Sequence, residues 1–230
     1  MMYHLSNHYT SGLKLASLIS AMVLMAGCTT VKVDELRWEE TDIDPNADSV
    51  VILGRHHSPE YETEPSLVSC IGSKLRRKIG GLNVISEPEF IDLMYPWFEP
   101  RTAPLTMDKF VRVLDEPLIK EEMEKQRVRY MIWIEGATEK INESGSMSCA
   151  IGPGGGGCFG FGRWEDESAY EASIWDFEKT REAGRISTDA HGTSYVPAIV
   201  IPIPLLARVQ SNACDGMGDQ IGAFFNTGKG

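Results

Sequence analysis

The chain has 230 residues and a formal net charge of −11, from 33 acidic and 22 basic side chains. This surplus of acids argues against nucleic-acid binding, which depends on cationic side chains that neutralise phosphates. It also argues against broad adhesion to anionic lipid head groups. The length is enough for one domain with a substantial core, and no break in composition suggests two.

An uncharged apolar run over residues 15–26 ends directly before Cys28. The run is too short to span a membrane as a helix, and its length is typical of a signal-peptide core. Residues 24–28, Leu-Met-Ala-Gly-Cys, resemble the lipobox of bacterial lipoproteins, in which the cysteine is acylated and the chain is cleaved before it. The resemblance implies a leader over residues 1–27 and a lipidated Cys28. The alternative is an ordinary thiol beside an uncleaved anchor helix.

The resemblance also implies a location and a membrane partner. Thr29 follows Cys28, where inner-membrane lipoproteins carry Asp, so the expected site is the periplasmic face of the outer membrane. Lipoproteins of this class carry about three acyl chains, which meets the need for at least two membrane signals. Removing residues 1–27 takes away Lys14 and no acidic residue, so the mature charge is −12. We expect a tether over residues 28–48 and a single α/β envelope domain over residues 49–230.

Assigning Cys28 to lipid leaves four cysteines in an oxidising compartment, which predicts two disulfides with three alternative pairings. Cys149 and Cys158 bracket a run of glycines, and a bond there would close a loop of high chain entropy. Cys70 and Cys214 then pair by elimination. Buried free thiols are the alternative, and no Cys-x-x-Cys pair indicates a zinc site.

The first half of the chain alternates strands and helices. Residues 49–54 form a continuous apolar run, which is typical of a strand buried on both faces. Pro65 suits the first turn of a helix whose apolar side chains recur every fourth residue until Gly80. A strand over residues 82–85 and a helix after Ser86 follow, and then two amphipathic helical stretches and an apolar strand over residues 130–136.

The second half has a different pattern. Residues 170–175 alternate between polar and apolar, as in a half-buried antiparallel strand, and residues 178–184 predict a turn to a partner strand over 185–195. A closing helix is expected over residues 205–225. The predicted fold is therefore α/β (α+β), with a mixed sheet of about five strands, helices packed across it and a C-terminal helix. This element order resembles envelope domains of the curli-secretion lipoprotein and the amino-terminal domain of TolB.

The glycine cluster at residues 152–162 does not predict a nucleotide site. It lacks the Gly-Lys-Ser/Thr of a phosphate loop, and a strand is expected after it where a dinucleotide fingerprint needs a helix. We interpret it as a disulfide-closed hairpin tip that presents Phe159, Phe161 and Trp164. These aromatic side chains either belong to the core or contact a partner or a membrane.

Two further segments are candidate functional sites. Arg55, His56 and His57 follow the first strand, but adjacent histidines on extended backbone point in opposite directions, so we expect a solvated polar loop. Residues 193–206 form an apolar strip that contains Pro197, Pro202 and Pro204. This strip is either a buried connector or an exposed surface that docks a partner or the outer membrane.

No catalytic motif, metal-ligand set or cofactor motif is identified in the sequence. We therefore expect no catalytic residues, no metal and no cofactor. The leading hypothesis is a non-catalytic outer-membrane lipoprotein that binds or supports the assembly of another, unknown envelope protein. The alternatives are an oligomeric secretion or pore component, implied by the resemblance in element order, and a small envelope hydrolase that uses residues 55–57.

Overall fold

The computed structural model describes residues 29–58, 61–99, 102–153, 155–202 and 206–226. For residues 57, 58, 61 and 199–202 it describes the backbone alone. The predicted leader, residues 1–27, and the predicted lipidation site Cys28 lie outside the described residues.

The described chain contains five helices and eight strands. The helices are α1 (Pro65–Lys78), α2 (Glu87–Leu93), α3 (Met107–Leu114), α4 (Pro117–Lys125) and α5 (Val209–Asn226). The strands are β1 (Thr29–Arg37), β2 (Ser49–Gly54), β3 (His56–Ser58), β4 (Tyr61–Glu62), β5 (Asn83–Ile85), β6 (Val128–Gly152), β7 (Gly155–Asp176) and β8 (Arg181–Pro202).

Six of the strands form one mixed sheet in the order β1-β8-β7-β6-β2-β5, and β3 pairs with β4 in a small separate ribbon. Strand β2 is parallel to both of its neighbours, β5 and β6. The links from β6 to β7 and from β7 to β8 are too short for a crossover, so these pairs are antiparallel hairpins. The predicted fold class is confirmed, with six strands in the main sheet where about five were expected.

Strand β2 is buried along its whole length because the sheet has helices on both faces here. Its side chains alternate between the two layers. Ile52 lies beside Gly72 of α1, whereas Val51 and Leu53 join a cluster with Phe90 of α2 and other side chains of α2–α4. Each fully buried aliphatic side chain contributes about 1.5–3 kcal/mol through removal from water.

Helices α1 and α5 pack together and are covalently joined. The structure contains the Cys70–Cys214 disulfide, in agreement with the predicted pairing. Lys78 Nζ lies 2.7 Å from Asp219 Oδ1 on the surface of the same helix pair. A Cβ atom added at Gly222 would lie 2.7 Å from Lys78 Cγ, so glycine at this position permits the close approach of the two helices.

Residues 29–37 differ from the predicted tether, because they form β1 at one edge of the main sheet. Val31 and Val33 contact Gly216 of α5, and Ile43 further along is buried. Thr41 Oγ1 donates a hydrogen bond of 2.9 Å to the Phe224 carbonyl. Residues 29–37 contain two acidic and two basic side chains, and from Val33 onward only alternate side chains are partly covered, so no continuous apolar run marks the strand.

The strands predicted at 49–54 and 82–85 have nearly the predicted length, whereas the other three are much longer in the structure than in the prediction. The strand expected over 130–136 is β6, which extends to Gly152, and its neighbours β7 and β8 extend in the same way. Polar and glycine-rich residues continue each strand because the adjacent strand supplies a ladder of backbone hydrogen bonds. This partner is a feature of tertiary structure that local propensity does not reveal.

A buried arginine links β6 to the end of β7. Arg129 pairs with Asp176, which is 1% exposed, and donates from Nη2 to Asp42 Oδ1 at 2.7 Å. Its Nε lies 3.1 Å from the exposed carboxylate of Glu178. Partial burial opposes ionisation of Asp42. The charge of Arg129 and hydrogen bonds from Tyr130 and Arg129 outweigh this effect and lower the pKa of that carboxyl.

Candidate interaction surface

The described chain divides into two compact units. The ribbon unit contains Lys140–Asp166 and Gly192–Arg208, together with Thr29. The body unit contains Thr30–Glu139, Glu167–His191 and the segment from Val209 onward. The ribbon unit is therefore built from the later part of β6, the earlier part of β7 and the later part of β8, which are neighbours in the main sheet.

The ribbon unit is closed by the Cys149–Cys158 disulfide, which joins β6 to β7 as the glycine-run argument predicts. Gly145 and Gly160 hold positive φ angles of 107° and 147°. A Cβ atom at Gly160 would overlap the Ser146 carbonyl oxygen, so only glycine fits at this close approach of the two strands. The disulfide and these glycines fix the hairpin in one geometry.

The hairpin exposes large apolar side chains to solvent. Ile151 is 94% exposed, Phe159 is 63% exposed and Phe161 is 46% exposed. Ile141 and Met147 on β6 are also exposed. The two phenylalanines therefore lie on the surface and not in the core. A concentration of exposed apolar side chains on one element is typical of an interaction surface.

Trp164 is half-buried at the other end of the hairpin, and Lys140 Nζ lies 5.4 Å from the centre of its ring. The rings of Phe161 and Tyr195 lie 5.8 Å apart, which connects β7 to β8. A concavity of about 270 Å³ is lined by Trp164, Phe161, Met147 and neighbouring residues. The surface thus combines protruding side chains with a shallow recess.

The proline-containing strip over residues 193–206 belongs to β8 and the segment after it. Pro197 is half-buried, and Ser194 Oγ accepts a 3.0 Å hydrogen bond from the Ala207 N–H. The side chain of Pro202 and all of Pro204 lie outside the described residues. Residues 193–202 of this strip belong to strand β8 of the ribbon unit, and Leu206 beyond it is 58% exposed.

Residues 55 and 56 do not form the solvated loop expected from the sequence. Arg55 is 5% exposed, with its guanidinium 4.1 Å from the ring centre of Trp133 and its Nη1 donating to the Pro104 carbonyl at 2.7 Å. Burial lowers the pKa of Arg55 to about 10. His56 is half-buried, with Nε2 3.3 Å from Glu87 Oε1. Arg55 is therefore part of the packed interior of the body unit. The side chain of His57 lies outside the described residues.

The described residues contain neither a candidate metal-binding cluster nor a candidate membrane-spanning helix. No group of three or more His, Cys, Asp or Glu side chains in the described ranges is placed to hold a metal ion. In the same part of the chain, no helix is both long and apolar enough to cross a membrane.

Sequence reasoning identified part of this surface. Phe159, Phe161 and Trp164 were found through the glycine cluster, but Ile141, Met147 and Ile151 were not, because β6 was expected to end at residue 136. For Met147 and Ile151 the sequence does contain a signal, because residues 144–162 have no charged side chain. Ile141 lies outside that run, next to Lys140.

The fold and the surface define an α+β protein whose mixed sheet carries a disulfide-closed ribbon with exposed apolar side chains. No protein-family model matches the chain, and no curated protein matches it. Among solved structures, the chain is similar to the PelC dodecamer from Paraburkholderia phytofirmans, at 14% identity and a TM-score of 0.39, over 85% of this chain and 97% of that chain. A variant of that dodecamer matches at 14% identity and a TM-score of 0.37, over 86% and 98%. TM-scores this low do not establish a common fold.

Proposed function

We propose that this chain is a non-catalytic lipoprotein of the bacterial outer membrane that binds another component of the cell envelope through its ribbon unit. Acyl chains on Cys28 hold the mature chain at the periplasmic face of the membrane. The observation that carries the proposal is the set of exposed apolar side chains on β6 and β7, above all Ile151 and Phe159.

Three physical considerations support this function. Exposed apolar surface is costly in water and is retained where a partner covers it. The Cys149–Cys158 bond holds the hairpin in place before binding, which lowers the ordering cost of association. Two disulfides suit an oxidising compartment such as the periplasm.

The anchor is tested by substitution of Cys28. We expect Cys28→Ser to abolish incorporation of labelled palmitate and to leave the leader uncleaved, because serine has no thiol to acylate. The neighbouring Thr29→Ser change serves as the control and should be labelled and cleaved like the natural chain. Palmitate that remains on the Cys28→Ser protein would contradict the anchor.

The binding surface is tested by photo-crosslinking in intact cell envelopes. A benzophenone side chain in place of Phe159, which is 63% exposed, should form adducts with an envelope component on irradiation. The same group in place of Leu118, which is 68% exposed on α4 of the body unit, is the matched control and should form none above background. Equal adduct formation at both positions, or none at either, would contradict a binding role for the ribbon unit.

A further inference from the structure

Two segments of this chain contain no Asp, Glu, Lys, Arg or His: residues 144–162 and residues 192–207, together 35 residues. Charged residues make up 24% of the whole chain, so about eight would fall in these segments at that frequency. The segments also contain no Asn or Gln. The sequence separates them by 29 residues, 163–191.

The fold brings the described residues of both uncharged segments into the ribbon unit, largely on the neighbouring strands β6, β7 and β8. Contacts within the unit join the two segments directly. The ring of Phe161 lies 5.8 Å from that of Tyr195, and a Cβ atom at Gly162 would lie 3.9 Å from the Val196 Cβ. The result is a continuous uncharged surface on a protein that is otherwise strongly acidic.

Charged side chains begin again immediately beyond these segments. Glu143 precedes the first, and Arg163 follows it and pairs with Glu165. Trp164 lies at this border, with Lys140 over its ring. An uncharged zone bordered by an aromatic ring and by charges of both signs is the pattern of an element at a membrane surface.

We propose that the ribbon unit docks on the phospholipid bilayer and gives the protein a second attachment beside its acyl anchor. The proposal deepens the proposed function and rests on it, because it names lipid as the envelope component that the ribbon unit binds. Thr29, the residue next to the predicted acylation site, belongs to the ribbon unit.

Composition favours lipid over a protein partner. Protein interfaces are bordered by polar side chains, and arginine is enriched among the residues that contribute most to binding. The 35 uncharged residues contain no arginine, and their polar side chains are limited to those of serine, threonine and Tyr195. A bilayer, in contrast, disfavours charge and accepts aromatic and aliphatic side chains such as Phe159 and Ile151.

Backbone chemistry limits the depth of the contact. Open strand edges do not occur in lipid-exposed hydrocarbon, because their N–H and C=O groups would have no partners. The ribbon unit therefore lies in the interfacial region, where apolar side chains reach about 5–10 Å into the boundary between head groups and acyl chains. Ile151 and Phe159, the most exposed of these side chains, make the deepest contacts.

The test uses the full chain as purified from cell envelopes, reconstituted in phosphatidylcholine vesicles whose acyl chains are brominated, since bromine quenches tryptophan emission on contact. Ile151→Trp should lose about half or more of the added emission relative to unbrominated vesicles, after subtraction of the signal from the natural chain. Leu118→Trp, at an exposed position of the body unit, should lose none. Adding Phe159→Glu to the Ile151→Trp chain should reduce the quenching, with circular dichroism as the check on folding.

Equal emission of Ile151→Trp in the two kinds of vesicle would overturn the proposal. Emission that shifts with protein concentration but not with bromination would assign the surface to a second copy of the chain and would also overturn it. Flotation of the vesicles distinguishes a failure of docking by the ribbon unit from a failure of the acyl anchor. A chain that floats without quenching lacks only the docking, whereas a chain that does not float lacks the anchor.

Discussion

Replacement of Cys70 and Cys214 together by alanine is expected to lower the free energy of unfolding by about 4–5 kcal/mol. The two residues are 144 positions apart, and the chain-entropy model gives about 5 kcal/mol for a loop of that length. The bond also joins α1 to α5, so its loss removes the covalent link between the C-terminal helix and α1. Guanidinium denaturation without reductant measures the change.

The matched control is the double replacement of Cys149 and Cys158. These residues are nine positions apart, and the same model gives about 2.5–3 kcal/mol, confined to the ribbon unit. The first variant should therefore be less stable than the second by about 2 kcal/mol. Equal losses, or a greater loss for the short loop, would show that loop length does not govern the contribution of these bonds.

Asp176→Ala is expected to lower the free energy of unfolding by about 3–5 kcal/mol, because it removes one partner of a buried ion pair. Asp176 is 1% exposed and pairs with Arg129, which is itself buried. Asp176 Oδ1 also accepts a 2.8 Å hydrogen bond from the Lys179 N–H. The substitution leaves a buried guanidinium without its principal counter-charge.

Glu178→Ala is the control for this effect. Glu178 contacts the same arginine at 3.1 Å, but its side chain is 73% exposed. Solvent screening limits the contribution of such a pair to about 0–1 kcal/mol. Urea denaturation of both variants makes the comparison, and similar losses would contradict the assignment of the stabilising role to the buried partner.

Much of the body unit is predictable because its signals are local. The apolar run at residues 49–54 predicts β2, and the four-residue spacing after Pro65 predicts α1. The alternation at residues 170–175 predicts the hairpin of β7 and β8. In each case the pattern of apolar side chains indicates which faces are buried. Burial of apolar surface is the largest favourable contribution to the free energy of folding.

The remainder depends on partners that are distant in sequence. Strand β1 has four charged side chains among its nine residues, and it is a strand because β8 lies beside it in the sheet. Arg55 is buried because Trp133 and Trp175, on other strands, supply ring faces for its guanidinium. No spacing rule around residues 29–37 or 55–57 carries that information.

The sequence by itself determined the lipobox resemblance at Cys28, the acidic balance, the cysteine pairing argument and the two uncharged segments. These are properties of composition and short spacing, and they need no knowledge of which residues meet. Only the tertiary structure decided that the described residues of the ranges 144–162 and 192–207 lie in one unit, and that Phe159 and Phe161 lie outside the core. The physical reason is that exposure results from contacts across neighbouring strands, which form only when β6, β7 and β8 pair.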